Sequence, residues 1–219
     1  MEFNEFLREL SKKDRENYNL YSPIRGFQIY RIIFECLNKK RGPSYSDVNH
    51  FIIYDKAMKD VLYKYLGTLE EMIRQFIFLN FDFRKNIKLD ERYSLADSLS
   101  RAISKRNIDK LEITELYKRF FLDFRQTILF LRKNVPDKYD TDKLDKVCDL
   151  RNMVMHHKPL LFDANLNSTI KSTKNRIEYL LDFLLPRYQV GLKNEINIIT
   201  GKTKENIDCA YYGFLLIEE

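Results

Sequence analysis

Cysteine, glycine and proline are all scarce in this chain of 219 residues. The three cysteines, Cys36, Cys148 and Cys209, are odd in number, far apart and never spaced as CxxC. That argues against a disulfide framework and a cysteine-rich zinc site, and it makes the cytoplasm the default compartment. Six glycines and five prolines supply too little turn chemistry for a many-stranded sandwich or barrel. Long hydrophobic runs are missing too. The best stretches, Phe76 to Leu79 and Tyr179 to Leu185, are short or carry a charge, against the roughly 20 apolar residues a membrane-spanning helix needs. The opening Met1-Glu2-Phe3-Asn4-Glu5 is acidic, unlike a secretory signal.

What is present suits one packed helical protein. Hydrophobic residues make up 44% and charged residues 32%, enough apolar material for a core and no case for general disorder. The balance is basic, 38 Lys and Arg against 32 Asp and Glu, net +6. An excess of this size is compatible with an anionic partner and does not establish one. The cations recur locally, as in Lys39-Lys40-Arg41, Arg101 to Arg106 and Lys171 to Arg176, which also suits solvated helix faces.

Periodicity predicts the elements. Ser22-Pro23 reads as a helix start, cap then first-turn proline, with apolar positions running to Leu37 and a loop at Arg41-Gly42-Pro43-Ser44. Met58, Val61, Leu62, Tyr65, Leu66, Leu69, Met72, Ile73, Phe76 and Ile77 recur at steps of three and four, one broad apolar stripe. Short helical turns are expected around Ser94 to Ser104, and helices over about 113–133, 141–156 and 168–185, the last two stopped by Pro159 and Pro186. The tail carries one or two more. The expected fold is all-α, an antiparallel bundle of four main helices over 51–186, with helical extensions over 1–50 and 187–219.

The helix over 141–156 stands out. Its apolar residues, Leu144, Val147, Cys148, Leu150, Met153, Val154 and Met155, point in almost every direction, which predicts burial on most sides. Yet Asp145, Asp149, Asn152 and His156 follow one another at steps of four, three and four, with Arg151 beside them. A polar seam on a buried helix implies a wet cleft or a paired network. The plainer alternative is the exposed face of an amphipathic helix.

Residues 151–156 read R-N-x-x-x-H within Leu150 to Leu160, LRNMVMHHKPL. This resembles the RNxxxH signature of HEPN-domain ribonucleases, and more narrowly the bacterial Abi-like (abortive-infection, AbiD/AbiF-type) family, where the motif ends in a proline-containing turn. Upstream, Tyr54-Asp55-Lys56-Ala57-Met58-Lys59 and Leu69-Glu70-Glu71-Met72-Ile73-Arg74 look like the family's opening aspartate and its helix with an internal glutamate. The resemblance covers about residues 50–185; the remaining ends match no pattern.

The chemistry of those residue types fits RNA cleavage without metal or other cofactor. His156 can move a proton near neutral pH, and Arg151 offers a charged planar fork to phosphoryl oxygens. Asn152, one turn before His156, can fix the imidazole or the chain turn. One Arg and one His are half of an acid–base apparatus. The resemblance implies that two domains pair, placing two motifs in one cleft of a homodimer and yielding a 2′,3′-cyclic phosphate and a 5′-hydroxyl. It further implies a toxin or phage-defence role, with a protein or small-RNA antitoxin as restraint. Supporting roles fall to Asp149, bracing Arg151, and to His157, as a helix-end or RNA contact. Glu70, on an apolar stripe, is expected to pair with Arg151 and hold its guanidinium toward the phosphate; the competing arrangement is a pair with Arg74 one turn along its own helix. Two other classes stay open: a non-catalytic HEPN-fold module binding RNA or an antitoxin, and a helical interaction domain with an accidental motif. His156 then caps helix carbonyls, His50 is structural or exposed, and Cys148 is a small hydrophobe.

Overall fold

The computed structural model describes residues 1–39, 42–80, 123–134, 140–162, 165 and 169–206. Those residues form eight α-helices and no β-strand: α1 (Phe3–Glu9), α2 (Lys12–Arg25), α3 (Phe27–Asn38), α4 (Tyr45–Asn80), α5 (Phe124–Asn134), α6 (Thr141–Met155), α7 (Ile170–Phe183) and α8 (Pro186–Lys204). The all-α class therefore holds, and no described helix is long and apolar enough to cross a membrane. The turns expected around Ser94 to Ser104, and the first part of the helix expected over 113–133, lie outside the described residues.

The chain divides into two compact units, Met1–Tyr65 with Leu150–Glu219, and Leu66–Asp149. The first unit thus holds α1 to α3, the start of α4, the end of α6, and α7 and α8. Phe6 packs on Phe34 with ring centroids 4.7 Å apart, and Phe51 lies 6.4 Å from Phe162. Tyr30, Met58, Leu62, Val154, Leu160, Ile177, Leu180, Leu192 and Ile196 complete a dry interior. The Tyr54 hydroxyl shares a hydrogen bond of 3.0 Å with Thr200 Oγ1 and so stays satisfied while buried. In the second unit Leu66, Leu69, Ile73, Ile77, Phe124, Ile128, Leu131, Leu144 and Val147 are buried, and Arg132 on α5 ion-pairs with Asp145 on α6.

Local chemistry explains the boundaries. Ser11 caps α2 by accepting from the Asp14 amide at 3.1 Å. Pro23 lies inside the final turns of that helix, so Ser22-Pro23 starts no element. The break comes at Gly26, whose φ of 94° and ψ of 122° are open to glycine and strained for other residues. Its amide closes α2 by donating to the Ser22 carbonyl at 2.9 Å. A proline removes one helical bond from a segment that is already formed, whereas the glycine redirects the backbone itself. Ser44 and Asp47 form a reciprocal cap at the head of α4: the Asp47 amide donates to Ser44 Oγ at 3.1 Å, and the Ser44 amide donates to Asp47 Oδ2 at 2.9 Å. The apolar stripe accordingly starts earlier than Met58, at Val48, Phe51 and Ile52.

One close approach ties α4 to α8 within the first unit. Tyr65 donates to Glu195 Oε1 at 2.8 Å, and Lys64 pairs with the same carboxylate. A Cβ added at Gly191 would stand 2.6 Å from the Tyr65 hydroxyl, so any other residue there would force the Tyr65 ring to shift.

A Cβ at Gly26 meets nothing closer than Gln28 Oε1 at 3.7 Å, so Gly26→Ala isolates backbone strain from crowding. It should cost about 1–2 kcal/mol of unfolding free energy in urea titrations; a variant as stable as the parent would refute the conformational requirement.

Candidate nucleic-acid site at the end of α6

Asp140 opens α6, accepting from the Lys143 amide at 3.0 Å on Oδ1. Leu144, Val147, Cys148, Leu150 and Val154 then turn inward. Asp145 and Asn152 are half-buried, and Asp149 and His156 are exposed. Met153 and Met155 are also only half-buried. The helix is therefore buried along one side and not on most sides, and the polar series occupies its open face. The plainer geometric alternative describes this face, which leaves His156 exposed and Arg151 and Asn152 half-buried.

The last turn is built with unusual care. The His156 amide donates to the Asn152 carbonyl at 3.0 Å, the His157 amide to Val154 at 3.2 Å, and the Lys158 amide back to Met153 at 2.9 Å. This is the Schellman pattern, in which two crossing bonds satisfy carbonyls that a helix end leaves orphaned. The residue in the left-handed position is His157, with φ of 54°. Glycine normally takes that place; a residue with a Cβ pays about 1–2 kcal/mol there, although histidine is among the more tolerant types.

A buried ion pair on α4 holds the strained turn. Asp55 and Lys59 are 4% and 6% exposed and pair with each other across one helical turn. Lys59 Nζ donates to the His157 carbonyl at 3.2 Å, and the Leu160 amide donates to Asp55 Oδ1 at 2.7 Å. Both charges thus spend their remaining hydrogen-bonding capacity on the backbone just beyond His156. Burial pushes the Asp55 carboxyl up from its ordinary value, while Lys59 and the Leu160 amide pull it down. From the other side, Thr173 Oγ1 donates to the Leu160 carbonyl at 2.5 Å, Thr169 Oγ1 donates to it at 3.2 Å, and the Thr169 amide donates to Leu161 at 2.9 Å. Both polar groups of Leu160 are satisfied in a segment where Leu160 and Leu161 are buried.

The first compact unit therefore carries Arg151, Asn152, His156 and His157 on one helix end, with His156, His157 and Lys158 exposed. The His156 ring makes no hydrogen bond to a described residue, so it is open to a ligand. Asp149 and Glu70 fall in the second unit. Glu70 is buried and ion-paired with Arg74 one turn along α4, the arrangement that competes with the expected pair to Arg151. His50 is half-buried, its Nδ1 2.8 Å from the Ser46 carbonyl, and Cys148 is buried in the packing side of α6. Among the described residues no three His, Cys, Asp or Glu side chains are grouped to hold a metal ion.

Lys59 is the residue that sequence reasoning passed over. Its signal was an Asp and a Lys four apart inside an apolar stripe, Tyr54, Met58 and Leu62, where solvated charges are not expected. Comparison with protein-family profiles, with curated proteins and with solved structures finds no match to this chain.

Lys59→Met should leave the Asp55 carboxylate buried without its cation and cost about 3–5 kcal/mol, while the double variant with Asp55→Asn should recover part of the loss. Urea unfolding of the three proteins checks this; strictly additive losses would show that the pair is not coupled. His157→Gly should hold or raise stability by up to about 1 kcal/mol in the same assay, since it removes the left-handed penalty.

Proposed function

We propose that this chain is a HEPN-type endoribonuclease of the Abi-like kind, a toxin or phage-defence effector whose catalytic residues are Arg151 and His156. The observation that carries the reading is an exposed imidazole, without a hydrogen bond among the described residues, on a helix end whose backbone is fixed from two sides, with an arginine and an asparagine in the preceding turn. The set Arg151, Asn152 and His156 in R-N-x-x-x-H spacing supplies the HEPN assignment, and residues 51–186 would then form the HEPN bundle.

In this mechanism a base takes the proton of the ribose 2′-hydroxyl, and that oxygen attacks the adjacent phosphorus. The bond from phosphorus to the 5′-oxygen breaks, and an acid returns a proton to the departing oxygen. A 2′,3′-cyclic phosphate and a 5′-hydroxyl result. Arg151 stabilises the extra negative charge on the crowded phosphoryl oxygens. Each chain offers one such histidine, so a homodimer would bring two copies of His156, one to each end of the reaction. The net charge of +6 favours approach of an anionic polymer. An RNA or protein antitoxin would restrain such an enzyme by covering the open face of α6.

Arg151→Ala and His156→Ala should each lower RNA cleavage at least about a hundredfold, the size expected when a transition-state partner worth about 2.7–4 kcal/mol is removed, with the helical circular dichroism unchanged. Undiminished cleavage by either protein would reject the assignment; intact RNA binding without any wild-type cleavage would favour a non-catalytic module.

Cleavage should also persist in excess EDTA. Mixing the two inactive variants should give activity that departs from the average of the parents, because composite sites draw on both chains. Cleavage by a monomer, checked by light scattering at assay concentration, would contradict the shared site.

A further inference from the structure

The first turns of α7 run along the end of α6. Thr169 bonds to the backbone of Leu160 and Leu161, and Thr173 bonds to the Leu160 carbonyl. Thr169, Thr173 and Arg176 are spaced four and three apart, so they share one face of α7. The third member therefore points the same way, and Arg176 Nη1 lies 3.4 Å from Met153 Sδ. Met153 lies in sequence between Asn152 and His156 and borders the open face of α6, one helical turn from the imidazole.

A thioether sulfur is a weak acceptor and neutralises nothing. Arg176 is half-buried, and among the described residues no carboxylate pairs with it. The neighbouring acid on α7, Glu178, is 4.0 Å from Lys174 instead. A guanidinium without a protein counter-anion is free to take one from a ligand, and its planar fork suits a phosphate. Lys158 is exposed at the same helix end and adds a second cation there.

We propose that Arg176 is a substrate-binding residue that seats a phosphodiester of single-stranded RNA beside the one being cut, with Met153 as the apolar rest that orients its guanidinium. The inference rests on the ribonuclease reading and adds to it a second anion seat on a different helix. Arg176 binds ground state and transition state alike, so it acts on affinity more than on the chemical step.

The test uses the full chain carrying His156→Ala, which binds without turnover, and a fluorescein-labelled single-stranded RNA oligonucleotide read by anisotropy across a salt series. Adding Arg176→Gln should weaken binding about tenfold and reduce the slope of log affinity against log salt by about 0.7, the loss of one phosphate contact on a single strand. Arg176→Lys should keep the slope and most of the affinity. In the active chain Arg176→Gln should raise KM about tenfold and change kcat less than threefold. Unchanged affinity and slope overturn the proposal, and so does weakened binding with an unchanged slope, which marks a packing effect. Arg176→Met keeps the side-chain stem on Met153 and should behave like Arg176→Gln; if it behaves like the parent, the charge is not the cause. The two failures are distinguishable. Full cleavage by His156→Ala rejects the ribonuclease assignment and the second seat that rests on it, whereas an inactive His156→Ala with an indifferent Arg176→Gln rejects only the second seat.

Discussion

Two opposite charges buried one turn apart on α4 make the end of α6 what it is. Taking Asp55 and Lys59 out of water costs several kcal/mol each in general terms, and their mutual attraction recovers that only when the remaining donors and acceptors are also used. Here the backbone of the turn uses them: Lys59 reaches the His157 carbonyl and Asp55 receives the Leu160 amide. The pair and the turn are mutually necessary. Without the turn the charges would be short of partners, and without the charges His157 would have little to hold it in a left-handed conformation.

This arrangement separates rigidity from exposure. Catalytic groups need a fixed position and an open approach, and those demands conflict when a side chain is held by its own hydrogen bonds. In this chain the restraint acts on the backbone of residues 157–160, so the His156 ring is exposed yet attached to a stationary frame. The threonines of α7 secure the other side of that frame, and the same helix face carries Arg176 to Met153.

Much of the fold was legible because it depends on repetition and on strong stops. The stripe from Met58 to Ile77 marked α4, and Pro159 and Pro186 bracketed α6 and α7 to within a few residues. Ser22-Pro23 misled because a cap-and-proline pair is a local pattern, while the decisive event three residues on is a backbone rotation that only Gly26 accommodates. The motif residues were legible as residue types at a spacing. Their support was not, since the bonds from Lys59 to His157 and from Asp55 to Leu160 join positions about a hundred residues apart. Burial of α6 was overestimated for a related reason: methionines were counted as core, whereas Met153 and Met155 border the open face.

The contact between Gly191 and Tyr65 bears on how α8 comes to exist. Glycine is about 1 kcal/mol poorer than alanine inside a helix, and α8 contains two, Gly191 and Gly201, among many β-branched residues such as Val190, Ile196, Ile198, Ile199 and Thr200. Such a segment has little helical character of its own in water. Its regular form is instead underwritten by the surface it meets, where a bare Cα lets the Tyr65 hydroxyl come close enough to reach Glu195. Coil-to-helix transition and docking are then a single cooperative event for this segment, and its amides should exchange with solvent through one shared opening rather than fray turn by turn.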